Sequence, residues 1–245
     1  MTGSSRSGRR PLRLLLFALS VLVLATACAA TTNAQPVPIK QPLPERESLA
    51  YNLLDDKGAR IGTASVSIAR DGDGLVFQQR YADLQQHTDQ RSVTVDAATL
   101  APRQARREIH AVNLNSTVAI TYAPDSVSSV ASDGREHRHE AKVATGTYDD
   151  QEVFFLMRAL DFSPGYSAQF ADVIVANDGT ISRASATATV QKQTTVQLSG
   201  KSFTAWEVQL TAAGATSTAW YEAAPTRRLL RYTTSRQTSI KLVNP

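Results

Sequence analysis

Through most of the chain, hydrophobic positions recur every second residue. Ile61-Gly-Thr-Ala-Ser-Val-Ser-Ile68 stops at Asp71-Gly72-Asp73-Gly74 and resumes as Leu75-Val-Phe-Gln-Gln-Arg-Tyr81. Alternation with period two marks strands that bury one face, and Asp-Gly steps accept the positive φ of a tight turn, so these runs predict a hairpin. The pattern repeats. Residues 91–95 precede a turn at Leu100-Ala-Pro102, 103–112 and 116–122 flank Asn113-Leu114-Asn115, and 126–131 and 136–143 flank Asp133-Gly134. Further runs lie at 166–175, 182–193, 203–210, 216–221, 229–233 and 239–243, with a short one ending at Ser199-Gly200. The fold class read from this is mainly β: a large curved antiparallel sheet, a half-barrel or open barrel, of about 10–12 strands. Alternate Thr, Ser, Gln and Arg leave one face of it wet. The sheet occupies a single domain, residues 48–245.

One segment breaks the period. Asp149-Asp150-Gln151-Glu152 opens the run Val153-Phe-Phe-Leu-Met-Arg-Ala-Leu160. Asp149 as N-cap with Glu152 three residues on has the form of a capping box, and the acidic start suits the helix dipole. Val153, Leu156, Met157 and Leu160 share one helical face. Phe154 and Phe155 widen the apolar arc, and Ser163-Pro164-Gly165 ends it. A short helix that is apolar nearly all round is predicted to be buried against the concave side of the sheet. It is either packed core or a plug beside a cavity.

Before the sheet, the chain carries an export signal. Arg6, Arg9, Arg10 and Arg13 precede an apolar stretch, residues 14–25, that leads to Ala25-Thr26-Ala27-Cys28. The stretch is shorter than the ~20 residues a membrane-spanning helix needs, so residues 1–27 read as a signal peptide. Cys28 stands where a bacterial lipoprotein signal places the residue that receives lipid, which predicts an exported, lipid-anchored envelope protein. The alternative is a soluble periplasmic protein, cleaved near Ala27 or after Ala34. Residues 28–47 contain Pro36, Pro38, Pro42 and Pro44 and read as an extended Pro-rich tether.

Removing the signal changes the charge. The chain has 26 Lys+Arg and 22 Asp+Glu, but four arginines and no acidic residue precede Cys28, so the exported part is formally neutral. That excludes a nucleic-acid partner held by general basicity. The single cysteine excludes an internal disulfide.

A resemblance rests on several of these features. They are Tyr51…Gly58…Ile61-Gly62, Val95-Asp96-Ala-Ala-Thr99-Leu100-Ala-Pro102, and the helix entry Tyr148-Asp149-Asp150 followed by Phe154-Phe155-Leu156-Met157-Arg158. Gly200-Lys-Ser-Phe203-Thr-Ala-Trp206 and Thr218-Ala-Trp220-Tyr221…Pro225-Thr-Arg227-Arg228 complete the set. From residue 48 to 243 the chain resembles a family of secreted bacterial proteins classed as a domain of unknown function. Its sheet is similar to the half-barrel of periplasmic lipoprotein carriers and outer-membrane lipoprotein acceptors. The resemblance implies that architecture and an envelope location, and no catalytic residues.

Chemistry along the chain is sparse. His137 and His139 share a strand face and form a weak metal candidate, set against a charged edge strand beside an Asp-Gly turn. His87 with Asp89 follows Gln85-Gln86 and reads as a plain polar loop, with a base–orienter pair as the alternative. Asp149-Asp150 reads as a helix start. No G-x-S-x-G or glycine-rich phosphate loop occurs, and no catalytic residue or cofactor is assigned. Arg103 and Arg107 share a strand face and are expected to pair with local acids. Phe154, Phe155, Met157, Trp206 and Trp220 are the ligand-lining candidates if the interior is hollow.

Two function classes follow, both non-enzymatic. One binds a lipid or other hydrophobic ligand in the concave sheet. The other is an assembly lipoprotein with a filled core that docks an envelope protein. A secreted hydrolase is third. An apolar cavity of about 300 Å³ or more would mark the first class, and a fully packed helix the second. Replacing Cys28 with Ala is expected to move the protein from the membrane fraction to the soluble one; unchanged partitioning would refute lipid attachment.

Overall fold

A computed structural model describes residues 36–243. The first half is a meander of antiparallel neighbours: β1 (Arg46–Leu54), β2 (Arg60–Asp71), β3 (Gly74–Asp83), β4 (Thr88–Asp96), β5 (Pro102–Ala111), β6 (Leu114–Tyr122), β7 (Ser126–Ser132) and β8 (Glu136–Lys142). The second half contains β9 (Thr147–Asp149), α1 (Val153–Arg158), β10 (Ser167–Val175), β11 (Ile181–Leu198), β12 (Lys201–Ala212), β13 (Ala215–Glu222), β14 (Leu229–Thr233) and β15 (Ser239–Leu242). It too is antiparallel, apart from the parallel pair β9–β10.

The two meanders are fused through β1 and β15, with Tyr51 opposite Leu242 and Leu53 opposite Ile240. Together they make one sheet of fifteen strands among the described residues. Its order places β8 at one edge and β9 at the other, so the two edges are close in sequence and the first and last strands lie mid-sheet. The sheet curls until β9 touches β5 and β8 touches β11. It does not close, because β8 and β9 are not paired.

Side-chain bonds hold the curl. The β10–β11 turn lies across the first meander. Ser116 Oγ donates to the Asn177 carbonyl at 2.9 Å, and Ser129 Oγ to that of Gly179 at 2.5 Å. Gly179 has φ +85°, and a Cβ there would stand 3.0 Å from Ala131 Cβ and 3.3 Å from Ser129 Oγ. Only glycine seats the turn without strain.

The strand total exceeds the about 10–12 read from alternation. β9 is three residues long, too short to alternate. β1 begins inside the stretch assigned to the tether. β11 joins two runs into one strand of 18 residues, bulged between Val190 and Gln193.

The helix is where it was expected but starts later. Its N-cap is Glu152, with no side-chain cap bond. Asp149 and Glu152 do bond reciprocally to the turn, as a capping box would. Asp149 Oδ1 accepts from the Gln151 N–H and Glu152 Oε1 from the Asp149 N–H, both at 2.9 Å. Asp149 ends β9, paired with Val173 of β10 and three residues before the N-cap, so its bond closes the entry turn and not the helix. All six helix residues are buried. Phe155 stacks on Phe77 at 4.2 Å, and the Tyr221 hydroxyl donates to the Phe154 carbonyl at 2.5 Å.

The described part of the Pro-rich segment also corrects the sequence reading. It lies on the domain instead of standing off it. Val37 is in the core and its N–H donates to the Tyr148 hydroxyl at 3.0 Å. The Lys40 and Gln41 N–H groups donate to the Ala159 carbonyl at 2.9 and 3.2 Å. The last carbonyls of a helix lack intrahelical donors, and this segment supplies them. Arg227 completes the set on the Arg158 and Leu160 carbonyls, at 3.1 and 2.6 Å, while stacking on Phe162.

Gly179→Ala is expected to cost about 1–3 kcal/mol, adding a contact clash to backbone strain. Gly58→Ala has positive φ but open space around it, so it carries the strain alone. Chemical denaturation of both variants checks this; equal losses would show that the seat of the β10–β11 turn does not matter.

Candidate functional site

The inner face of the sheet changes character along its strands. On β3 the inward positions run Leu75, Phe77, Gln79, and on β4 they run Val95, Val93, Arg91, Asp89. Register aligns the change. Phe77, Val93 and Ala105 sit opposite one another across β3, β4 and β5, and so do Gln79, Arg91 and Arg107. An apolar row and a polar row therefore lie side by side, both buried.

The polar row is built around Asp89. Arg91 Nη2 donates to its Oδ2 at 2.7 Å, and Arg107 Nη2 does so at 2.8 Å. Arg107 Nη1 also donates to Asn177 Oδ1 at 2.9 Å. Burial opposes ionisation of Asp89, but the two guanidiniums outweigh it and hold its pKa down at about 2. Gln79 Nε2 donates to the Gln151 carbonyl, and the Tyr81 hydroxyl donates to Gln79 Oε1 at 3.0 Å.

Facing this row is a second group of acids. Asp149 is fully buried and accepts from the Tyr122 hydroxyl at 2.6 Å. Burial, with the Asp150 charge, raises its pKa to about 7. Glu152 and Asp172 are also buried, and desolvation pushes both well above the usual carboxylate range, with neighbouring carboxylates adding to it. Asp150 is raised by burial, against the pull of Arg91 and Arg107. Glu152 Oε2 and Asp172 Oδ1 have no hydrogen-bond partner.

Between the two groups lies a pocket of about 130 Å³. Its walls include Leu53, Val153, Phe154, Ile174, Leu210 and Ile240. Gln79, Arg91, Asp150 and Asp172 supply its polar side. The β12–β13 turn (Ala213, Ala215) and the β14–β15 turn (Thr234, Ser235, Thr238) also line it. An engineered apolar cavity of about 150 Å³ takes up benzene, so this space suits an aromatic ring or a short alkyl chain. It falls short of the about 300 Å³ that marks a larger ligand's site.

The predicted lining residues separate. Phe154 lines the pocket. Phe155 and Met157 are core, and Trp206 packs near Phe162 with ring centroids 6.2 Å apart. Trp220 does not line the pocket: it is half-buried at the margin of the core, on the strand face opposite Ala219 and Tyr221, with the Arg231 guanidinium 5.0 Å from its ring. His137 and His139 do share a face of β8, with His137 Nε2 3.4 Å from Asp133 Oδ1. Among the described residues no group of three or more His, Cys, Asp or Glu is arranged to hold a metal. His87 pairs with Asp83 at 2.7 Å and not with Asp89. Arg103 pairs with Asp73 and Asp96, as expected of local acids. Cys28 and residues 1–27, read from the sequence as a signal peptide, lie outside the described residues.

The family model described as protein of unknown function (DUF3108) matches residues 48–239. The chain belongs to this family. No curated protein matches the sequence. The β-barrel-like protein of domain of unknown function DUF1849 from Brucella abortus shares the fold, with TM-score 0.57 and 13% identity over 82% of this chain and 97% of that one. The hypothetical lipoprotein YmcC from Escherichia coli is a looser likeness, with TM-score 0.38 and 11% identity over 81% of this chain and 84% of that one. In this DUF3108 chain the buried polar and charged groups are the feature that alternation alone did not single out. Their signal was faint: Gln79, Asp89, Arg91, Arg107 and Asp172 occupy inward positions in their strands.

The two acid groups titrate with opposite effects. Asp89, held low, adds stability above the unfolded value of about 3.9, and loses it as the pH falls toward 2. Asp149, Asp150, Glu152 and Asp172, held high, contribute fully below their unfolded values of about 4 and lose that contribution as the pH rises. For Asp149 the loss begins near the unfolded value and is complete at about 7. The melting temperature is expected to peak at about pH 4, where the two windows meet, and to lie several degrees lower at pH 8. Calorimetry across that range checks it, and a steady rise toward pH 8 would contradict it.

Proposed function

We propose that this chain is a non-enzymatic envelope protein, anchored through Cys28, whose half-barrel binds a small amphiphilic molecule by its apolar part. The observation that carries this reading is the pocket beside Phe154. It combines apolar walls with a few buried polar groups, the usual make-up of a ligand site. Its volume narrows the ligand. The acyl chains of a whole lipid exceed about 130 Å³, whereas a ring or short chain fits. Arg91 is bound up with Asp89, and Asp150 and Asp172 line the pocket beside its apolar walls, an arrangement for holding a molecule rather than for transforming it.

The assembly reading has two observations in its favour: all six residues of α1 are buried, so most of the concave face is filled, and the pocket left is smaller than the about 300 Å³ of a larger ligand's site. The two readings are separable. Benzyl alcohol is expected to cause saturable shifts of amides near residues 210–218 and 232–240 in nuclear magnetic resonance spectra. Ala215→Trp, which fills the pocket at the β12–β13 turn, is expected to abolish them without lowering the melting temperature. No saturable shift in the unaltered protein would sink the binding reading and favour assembly.

A further inference from the structure

Resting on the binding reading above, we infer that the pocket's ligand is an organic amine in its protonated form, with the ammonium against Asp172 and Asp150 and the hydrocarbon among the apolar walls. The first support is an unmet bonding requirement. Asp172 is 3% exposed, lines the pocket, and its Oδ1 has no hydrogen-bond partner. A buried carboxylate oxygen without a donor is a costly arrangement that native proteins rarely leave standing. An ammonium brings three donors on one compact centre and can serve Asp172 and Asp150 together.

The second support is charge. Asp89, Asp149, Asp150, Glu152 and Asp172 surround a buried region whose arginines, Arg91 and Arg107, are both bonded to Asp89. Carboxylates thus outnumber cations there, and the strongest cationic donors are committed away from Asp172. The groups that face Asp172 electrostatically are Asp149 and Asp150 from the β9–α1 turn, Glu152 at the helix start, and Tyr232 from β14. None of these supplies a positive charge. A cation entering the pocket favours the ionised forms of these carboxyls and is held by them, whereas an anion meets only Arg91, already committed to Asp89.

The third support is the pocket's shape. The same cavity that holds Asp150 and Asp172 is walled by Leu53, Phe154, Ile174 and Leu210. A bare metal ion gains nothing from such walls, and its ligand set is lacking among the described residues. An amine with a ring or short alkyl chain uses both halves of the site.

The test compares hexylamine, 1-hexanol and hexanoate by isothermal titration at pH 7.5. Hexylamine is expected to bind at least about ten-fold more tightly than hexanol, and hexanoate more weakly than either. Asp172→Asn is expected to remove the amine's advantage and leave hexanol binding as it was. A wild-type protein that holds hexanol as tightly as hexylamine would overturn this inference and leave the binding reading standing. If none of the three binds, the binding reading itself falls. Should Asp172→Asn fail to fold, the pH series on the unaltered protein decides. Because an ammonium favours the ionised acids, hexylamine affinity is expected to rise from pH 5.5 to 8 while that of hexanol stays level. A flat hexylamine profile would overturn the proposal.

Discussion

A sheet open at both edges stays curled only when its inner face is filled. Here six residues of helix do much of that work. A helix so short has no stability of its own, since nucleation is costly and few hydrogen bonds repay it. It exists because Phe155 meets Phe77, because Tyr221 bonds the Phe154 carbonyl, and because Arg227, Lys40 and Gln41 satisfy the carbonyls at its end. The curl and the helix are mutually dependent. Flattening the sheet would strip the helix of its contacts, and losing the helix would expose the apolar row from Phe77 to Ala105.

The helix also explains where the polar chemistry sits. Its entry turn carries Asp149, Asp150 and Glu152, and packing pulls that turn beneath the sheet with them. Three acids brought indoors need donors. Tyr122, the Gln151 amide and the Asp149 amide provide some, and burial shifts the acids toward their neutral forms for the remainder. On the opposite wall Asp89 keeps its charge because two arginines reach it. Carboxyls that share one interior thus behave in two ways, and the difference is whether a guanidinium is within reach.

Much of the sheet was legible in the sequence, because alternation is a local signal. Hairpins at Asp71-Gly72 and Asp133-Gly134 could be placed from residue type alone. Trp220 could have been assigned to the face opposite Ala219 and Tyr221 from its phase in the strand. Register was not legible, and the site depends on it. Gln79, Arg91 and Arg107 become neighbours only when three strands pair in one alignment, and no stretch of chain states that alignment. The acidic turn was legible as a capping motif, but its displacement from the helix was not, because the short parallel pair β9–β10 that ends at Asp149 spans three residues.

The junction of β1 with β15 has a consequence for how this chain must mature. Synthesis from the amino end makes β1 before every other strand of the sheet and β15 after all of them. Until then one long flank of β1 has no neighbour, and everything built from β2 onward hangs beside an unfinished gap. Completion of the architecture therefore waits on the final residues to emerge. Through that delay the waiting strand is the place where a holding chaperone would act, or where two nascent copies would stick together.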